Sequence, residues 1–379
     1  MAVCSCRGFD MRYLNRFRKM SMAISSAFFM MVVVPPAIAL TELNDSELGI
    51  VSGQALFVAD SIVGSGLGAG YNYTRVGLDV ALGLNANINK LQLGCGGYNQ
   101  SIVSGCDIDL DYVSLMGRSG NTAGAVGSDF VLTRPYIEIA TKGSGSTKEV
   151  VGIKIGAQSA DGFFGIGRRY AINEVNLENG GTCTTGAPLN CHSGINRISG
   201  YLNAEFSGQI PVAITPLGTQ TACFGRTTIN ASCPMTNAPV YAATSGTRLN
   251  NLVRPGIPLT LSAGFLSAIG ISQAYATIDE NLRFVHGFAL ANTSDFFLSF
   301  QRERLYYPTY DKTGYSAAAA NAGWWMNVPD VKVMDVQGAT VSLGLFAALR
   351  ALASPGPVVS NSELNQVPPS NCYGSSKFC

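Results

Sequence analysis

Three aspartates at alternating positions are the first side chains in this sequence that could do chemistry. Asp107, Asp109 and Asp111 would share one face of a strand, because side chains two residues apart point to the same side. Carboxylates spaced in this way are ligands for a hard cation such as calcium. We favour the alternative, a solvated acidic face that Lys90 partly neutralises, because the sequence contains no Asp-rich calcium-binding loop with a terminal Glu.

The two histidines could belong to a catalytic triad, but the sequence lacks the other signals of such a site. His192 follows a cysteine, and His286 lies in a short apolar stretch. No G-x-S-x-G nucleophile motif occurs. The run 64–69 (GSGLGA) formally fits a dinucleotide-binding pattern, yet no parallel strand is indicated before it. We therefore predict no catalytic residue, no cofactor and no metal.

The densest aromatic patch of the chain lies near its C-terminal third. Trp324 and Trp325 are adjacent, and Tyr306 and Tyr307 precede them by fewer than twenty positions. Neighbouring residues on a strand point to opposite faces, so one tryptophan is expected to be exposed. These four aromatics could bind a sugar or a protein partner, and a cluster that covers the edge of the core is the alternative.

The cysteines predict local disulfides. Ten are present, and the eight that follow residue 39 fall into couples that are close in sequence. An even number in an exported chain favours disulfides, whereas a zinc site is disfavoured by the lack of a C-x-x-C pair. Loops of this length stabilise a fold by about 2–3 kcal/mol each. The predicted bridges are Cys95–Cys106, Cys183–Cys191, Cys223–Cys233 and Cys372–Cys379.

Residues 1–39 have the features of a cleaved secretory signal. Four basic residues lie between positions 12 and 19, an apolar run covers positions 20–34, and Ala37-Ile38-Ala39 offers a small-x-small cleavage site. The apolar run is shorter than the roughly 20 residues of a membrane-spanning helix. We expect cleavage after Ala39, with either Met1 or Met11 as the translation start.

The charge balance of the chain provides no electrostatic attraction for nucleic acid. The whole chain has 25 basic and 24 acidic residues, and residues 1–39 carry five of the basic residues and one of the acidic ones. The remaining chain therefore has a net charge near −3, which attracts neither nucleic acid nor anionic lipid. Few charges and many small polar residues are typical of exported β proteins.

Alternating apolar residues predict strands, and one cysteine couple predicts a register. Apolar side chains recur at every second position from Val76 to Ile88, which indicates one long strand. If Cys95 and Cys106 face each other across a hairpin, apolar residues lie opposite apolar residues and cations opposite carboxylates. The predicted cross-strand pairs are Leu93–Ile108, Leu91–Leu110, Gln92–Asp109 and Lys90–Asp111.

The predicted fold is mainly β, with antiparallel hairpins in a large sandwich or elongated sheet, a short N-terminal helix and local disulfides. A second hairpin is predicted from residues 130–141 and 148–157 around a Gly-Ser turn. An outer-membrane barrel is the alternative, because several segments have about ten alternating residues. The predicted organisation is a signal peptide (1–39), a helix (43–56) with a Gly-rich linker (40–70 together), a main β domain (71–353) with a disulfide-bearing excursion (215–250), and a Pro/Ser-rich tail (354–379).

The segment that follows the signal resembles the opening of a poorly characterised family. Residues 43–54 (LNDSELGIVSGQ) fit L-x-D-x-x-L-x-x-V-x-G-Q, and residues 149–165 and 323–329 are also similar to that family. Its members are secreted gammaproteobacterial proteins, some of them encoded in pilus-system operons of the Fil type. The resemblance implies a cell-surface or filament-associated role and carries over no catalytic residue. The same opening also resembles a double-glycine secretion leader in which Gly53-Gln54 replaces Gly-Gly.

These observations favour an exported, non-enzymatic structural or adhesion protein of a bacterial pilus or cell-surface system. Its expected partners are other surface proteins or a second copy of itself, with outer-membrane association as an open alternative. An outer-membrane pore and a secreted carbohydrate-active enzyme are the competing functions. The carboxylates that such an enzyme could use are Asp107, Asp109, Glu138 and Glu205.

Overall fold

β-Structure dominates the described chain, which confirms the predicted fold class. The computed structural model describes residues 56–118, 128–225, 239–262, 264–337 and 340–360, together with residues 368 and 371. All of them belong to the compact unit Val51–Cys379. Within these residues 17 strands form one mixed sheet, and two short strands form a separate pair. The predicted helix at 43–56 and the predicted signal lie outside the described residues, apart from Leu56.

The described elements are nineteen strands and two short α-helices. The strands are β1 (Phe57–Val63), β2 (Tyr71–Leu78), β3 (Ala81–Leu84), β4 (Ala86–Leu93), β5 (Ile108–Met116), β6 (Phe130–Lys142), β7 (Glu149–Gly165), β8 (Val175–Asn176), β9 (Gly181–Thr182), β10 (Ile195–Thr215), β11 (Gly218–Phe224), β12 (Val240–Leu249), β13 (Asn251–Ser262), β14 (Gln273–Asn281), β15 (Gly287–Ser294), β16 (Phe297–Gln301), β17 (Gly323–Gln337), β18 (Val341–Gly344) and β19 (Val358–Ser360). The helices are α1 (Phe265–Ala268) and α2 (Leu345–Arg350).

The β4–β5 hairpin has the predicted register. Leu93 lies opposite Ile108 and Lys90 lies opposite Asp111, and the two intervening pairs match as well. The disulfide Cys95–Cys106 closes this hairpin, and Cys183–Cys191 closes a second loop. Cys223 is also disulfide-bonded. Its predicted partner Cys233, like Cys372 and Cys379, lies outside the described residues.

The long strand predicted from Val76 to Ile88 is wrong, because the chain breaks into β2, β3 and β4. Both β2 and β3 pair with β6, and the break between them lies beside Arg134 and Pro135. Arg134 has a positive φ of 48°, and Pro135 has no N–H to give to a neighbouring strand. The kink of β6 at this point ends one pairing and starts the next.

The predicted linker, excursion and tail each contribute strands to the sheet. β1 lies within the predicted linker region and pairs with β2. β11 and β12, within the predicted excursion, both pair with β10. β19, within the predicted tail, pairs with β14. Strands can form in these polar segments because a ladder satisfies the hydrogen-bonding groups of the backbone whatever the side chains are.

The sheet is mixed rather than purely antiparallel. The second hairpin, β6–β7, forms as predicted, and β16 adds to the other edge of β7. β10, however, pairs with β17 and β18 in parallel, and β14 pairs with β19 in parallel. Parallel partners need a distant return of the chain, and local sequence patterns do not reveal such a return.

Two apolar cores cover different parts of the sheet. The larger core includes Phe164, Leu202, Phe288 and Val328. The smaller core contains Tyr73, Phe297, Tyr307, Trp325 and other residues that lie between the sheet and the segment 302–322, which connects β16 to β17. We call this connecting segment the strap. It defines which side of β2, β6, β7 and β16 is covered.

Candidate interaction face

The three alternating aspartates are engaged by protein cations and amides. Asp107 accepts a hydrogen bond from Nε of the buried Arg248 at 2.9 Å. Lys90 Nζ lies 3.0 Å from Asp109 Oδ1 and also contacts Asp111. The predicted solvated face is wrong for Asp107 and Asp111, which are buried. The described residues contain no group of three or more His, Cys, Asp or Glu side chains that could hold a metal ion.

The two histidines meet in the interior, although they are 94 residues apart. His286 Nδ1 lies 3.0 Å from the carbonyl oxygen of Ile166, so this nitrogen donates and Nε2 accepts from His192 Nδ1 at 2.7 Å. Burial, aided by the neighbouring His192, lowers the pKa of His286 to about 3. Both rings are fully buried. An enclosed pair of this kind packs and holds loops together, and it offers no access to a substrate.

The four predicted partner-binding aromatics divide between two sides of the sheet. Trp325 and Tyr307 are fully buried in the smaller core. Trp324 is half-buried on the opposite side, where its ring lies 5.3 Å from that of Phe300. Tyr306 is half-buried within the strap. The adjacent tryptophans therefore point in opposite directions as expected, and only Trp324 of the two is accessible.

Trp324 stands at the end of an apolar face that continues across four strands. In one row Val76, Ile137 and Ile155 lie side by side on β2, β6 and β7, followed by Leu298 on β16. In the next row Ile139, Ile153, Phe300 and Trp324 lie side by side on β6, β7, β16 and β17. We call this side the outer face and define it by Val76, Ile137, Ile139, Ile153, Ile155 and Phe300. These six side chains are 36–53 % exposed, although buried positions would be normal for them.

The opposite side of the same strands carries charged residues and is covered. Arg75, Glu138 and Lys154 lie side by side on β2, β6 and β7, and Ser299 and Trp325 continue this row on β16 and β17. We call these five residues the inner row. Arg75 Nε and Nη2 lie 2.8 and 2.6 Å from Glu138 Oε2, and Lys154 Nζ lies 3.5 Å from Glu138 Oε1. All five side chains are at most 3 % exposed.

The inner row fastens the strap to the sheet. Lys154 Nζ donates to the carbonyl oxygen of Pro308 at 2.9 Å. Arg75 donates to the carbonyl oxygens of Thr309 and Tyr310 at 3.1 and 2.7 Å. Three successive carbonyl groups of the strap thus accept hydrogen bonds from buried side chains. These bonds replace the backbone hydrogen bonds that a neighbouring strand would provide.

Burial dominates the electrostatics of Lys154. Aromatic rings surround its ammonium group, with the ring centroids of Phe297, Tyr136 and Tyr307 at 4.7, 5.2 and 5.5 Å. Loss of water lowers the pKa of Lys154 to about 8, and the nearby Glu138 carboxylate opposes this shift. Glu205, the other carboxylate that the sequence singled out, lies on β10 opposite Lys332 and outside the inner row.

The two sides of the sheet therefore differ in the interactions that are open to them. The inner row is closed to solvent, and its three charged residues already have internal partners, so it can hold the strap but cannot meet a substrate. The outer face presents carbon atoms to water, and neither of its rows contains a charged residue. Such a surface suits contact with another apolar surface rather than catalysis.

An apolar cavity lies away from this face. It measures about 40 Å³ and lies between β10, β13, β14 and α2, with a lining that is almost entirely apolar. Sites for small molecules usually measure roughly 300 Å³ or more. The cavity therefore gives no support to a small-molecule site, and the outer face remains the strongest candidate for a functional surface.

The outer face was missed in the sequence, although its pattern is visible there. Residues 137–139 and 153–155 alternate an isoleucine with a charged residue, which is the pattern of a strand with one polar side. The usual interpretation places the isoleucines inside and the charges in water. The strap reverses this assignment, and its position depends on contacts between residues far apart in sequence.

Comparison with protein-family models, with curated proteins and with solved structures gives no match to this chain. The family resemblance of the N-terminal segment therefore stays a prediction. None of the helices in the described ranges is long and apolar enough to cross a membrane. The disulfides indicate an oxidising, exported environment.

Proposed function

We propose that this protein is an exported, non-enzymatic structural or adhesion component of a bacterial pilus or cell-surface system. The observation that carries this proposal is the outer face, an apolar surface on a rigid, disulfide-stapled sheet. A monomer that met only water would gain nothing from six half-exposed apolar side chains in two adjacent rows. The engaged aspartates and the enclosed histidine pair favour this proposal over a secreted enzyme.

Fractionation of the native bacterium tests the proposal. The expected result is a chain that begins at Leu40 and is recovered, with its disulfides, in sheared cell-surface material. Deletion of the gene is expected to reduce attachment or surface assembly. A soluble periplasmic pool, together with unchanged attachment after deletion, would contradict the proposal.

A variant pair connects this assay to the outer face. Replacing Ile137 and Ile155 with lysine puts two charges into one row of the face and is expected to reduce attachment as strongly as the deletion does. Val175→Lys is the matched control, because Val175 is similarly exposed but lies on the separate β8–β9 pair. Equal attachment by both variants would show that the outer face is not needed for the proposed function.

A further inference from the structure

The outer face has the shape and composition of a surface that packs against another sheet. Sheets that stack face to face interdigitate apolar side chains at a separation of about 10 Å. Ile137, Ile139, Ile153 and Ile155 form a square of β-branched side chains on two adjacent strands, with Val76 and Phe300 on either side. Leu298 and Trp324 connect this surface to the larger core, so the exposed region continues an existing apolar layer.

The charges at the rim of the face favour one kind of partner. Glu149 begins β7 and Arg302 directly follows β16, and because these strands are antiparallel both residues lie at the same end of the face. Arg302 Nη1 lies 3.1 Å from Glu149 Oε2, and both side chains are more than half exposed. A two-fold axis would bring Arg302 of one copy to Glu149 of the other and the reverse, so this rim is complementary to itself.

The same rim and the net charge disfavour a membrane as the occupant. Proteins that bind anionic lipid present several lysines or arginines around an apolar surface. Here each row of the face lacks a cation, and at the rim Arg302 and Lys142 are each paired with a carboxylate. The chain without residues 1–39 also has a net negative charge.

We infer that two copies of this chain pack their outer faces together as a symmetric dimer, with Arg302 and Glu149 of each copy paired across the rim. The inference rests on the proposed function, because it names the partner of the surface that the function uses. In this inference, the dimer is the building block of the cell-surface assembly.

Sedimentation of the purified, disulfide-bonded chain without residues 1–39 tests the inference. A monomer–dimer equilibrium is expected at micromolar concentrations. The Ile137→Lys/Ile155→Lys variant should weaken dimerisation by at least 100-fold, whereas Val175→Lys should leave it unchanged. Circular dichroism and intact disulfides of each variant establish that it has folded.

A charge exchange tests the pairing at the rim. Arg302→Glu and Glu149→Arg should each weaken the dimer by about 3- to 10-fold, and the double exchange should restore it. The effect of each single exchange should diminish at high salt. A dimer that tolerates the two lysines in the outer face would overturn the inference.

Other occupants of the face give distinct results. A protein that stays monomeric at all accessible concentrations would overturn the inference, and so would a monomer whose outer face binds phosphatidylglycerol vesicles. A monomer that still reaches the surface and supports attachment overturns the dimer but leaves the proposed function intact. A dimer that has no association with the cell surface supports the inference and contradicts the proposed function.

Discussion

The outer face and the inner row share β2, β6, β7 and β16, yet their polarity is the reverse of what a water-soluble sheet usually shows. The inner row buries Arg75, Glu138 and Lys154, whereas the outer face exposes Ile137 and Ile155. Charged residues are seldom buried unless they are paired, and here they are paired and also hold the strap. The strap, and not the apolar pattern, therefore determines which side of this part of the sheet is covered.

Removing the central carboxylate of the inner row should have the largest effect. Glu138→Gln removes the carboxylate that lies between the buried guanidinium of Arg75 and the buried ammonium of Lys154, so we expect a loss of ~3–5 kcal/mol in the free energy of unfolding. Glu149→Gln, which breaks an exposed ion pair of similar chemistry, should cost less than ~0.5 kcal/mol at low protein concentration. Urea denaturation of both variants measures the difference. Equal losses in the free energy of unfolding would contradict the assignment of the inner row as buried and of the Glu149 ion pair as exposed.

Two adjacent valines on β7 provide a matched comparison of apolar packing. Val151 is 3 % exposed in the smaller core, and Val150 is 49 % exposed. Val151→Ala should leave a cavity and lower the free energy of unfolding by about 2 kcal/mol. Val150→Ala should change it by less than ~0.5 kcal/mol. Equal losses of stability in the two variants would contradict the difference in burial between these two valines.

The buried lysine should make stability depend on pH. The pKa of Lys154 is about 8 in the native state and 10.5 for an ordinary lysine. Between these values the unfolded chain binds more protons than the native chain, so the free energy of unfolding should rise by about 1 kcal/mol from pH 8 to pH 9. Burial raises the pKa of Tyr73, Tyr136, Tyr170 and Tyr307, and because tyrosines of the unfolded chain lose their protons near pH 10, these groups oppose the rise at higher pH. Lys154→Met should remove the rise, and a rise that persists in this variant would contradict the assignment.

A conservative change on the outer face should have the smallest effect on folding. Ile155→Thr keeps the β-branched shape on an exposed position, so the free energy of unfolding of the monomer should change by less than ~0.5 kcal/mol. The same change should weaken dimerisation measurably. Denaturation at a concentration below the dimer dissociation constant, combined with sedimentation above it, separates the two effects. If Ile155→Thr lowered the free energy of unfolding of the monomer and left dimerisation unchanged, the outer face would contribute to folding rather than to dimer formation.

The sequence predicts those parts of the fold whose partners are close along the chain. The residues of the couple Cys95–Cys106 and of each β4–β5 pair are at most 29 positions apart, and the register is as predicted. The β6–β7 hairpin could be predicted for the same reason, because its two strands are close along the chain. A slip of one residue would put every side chain on the wrong face, so these local patterns are highly restrictive.

The candidate face could not be predicted because distant segments decide its exposure. Alternation showed that Ile153 and Ile155 share one side of a strand with Lys154 on the other, but not which side is covered. Lys154 is covered because Pro308, 154 residues away, accepts its hydrogen bond. The pairing of His192 with His286 and the parallel pairing of β10 with β17 are equally non-local.

Hydroxyl-radical footprinting at two protein concentrations reports on the exposure of both sides of the sheet in one experiment. The chain has only two tryptophans, one on each side. In dilute solution Trp324 and Phe300 should react, whereas Trp325 and Phe297 should not. At concentrations that favour the dimer Trp324 and Phe300 should become protected, and the inner residues should stay unreactive. Reaction of Trp325 in the native protein, or no protection of Trp324 and Phe300 at any concentration, would contradict the account.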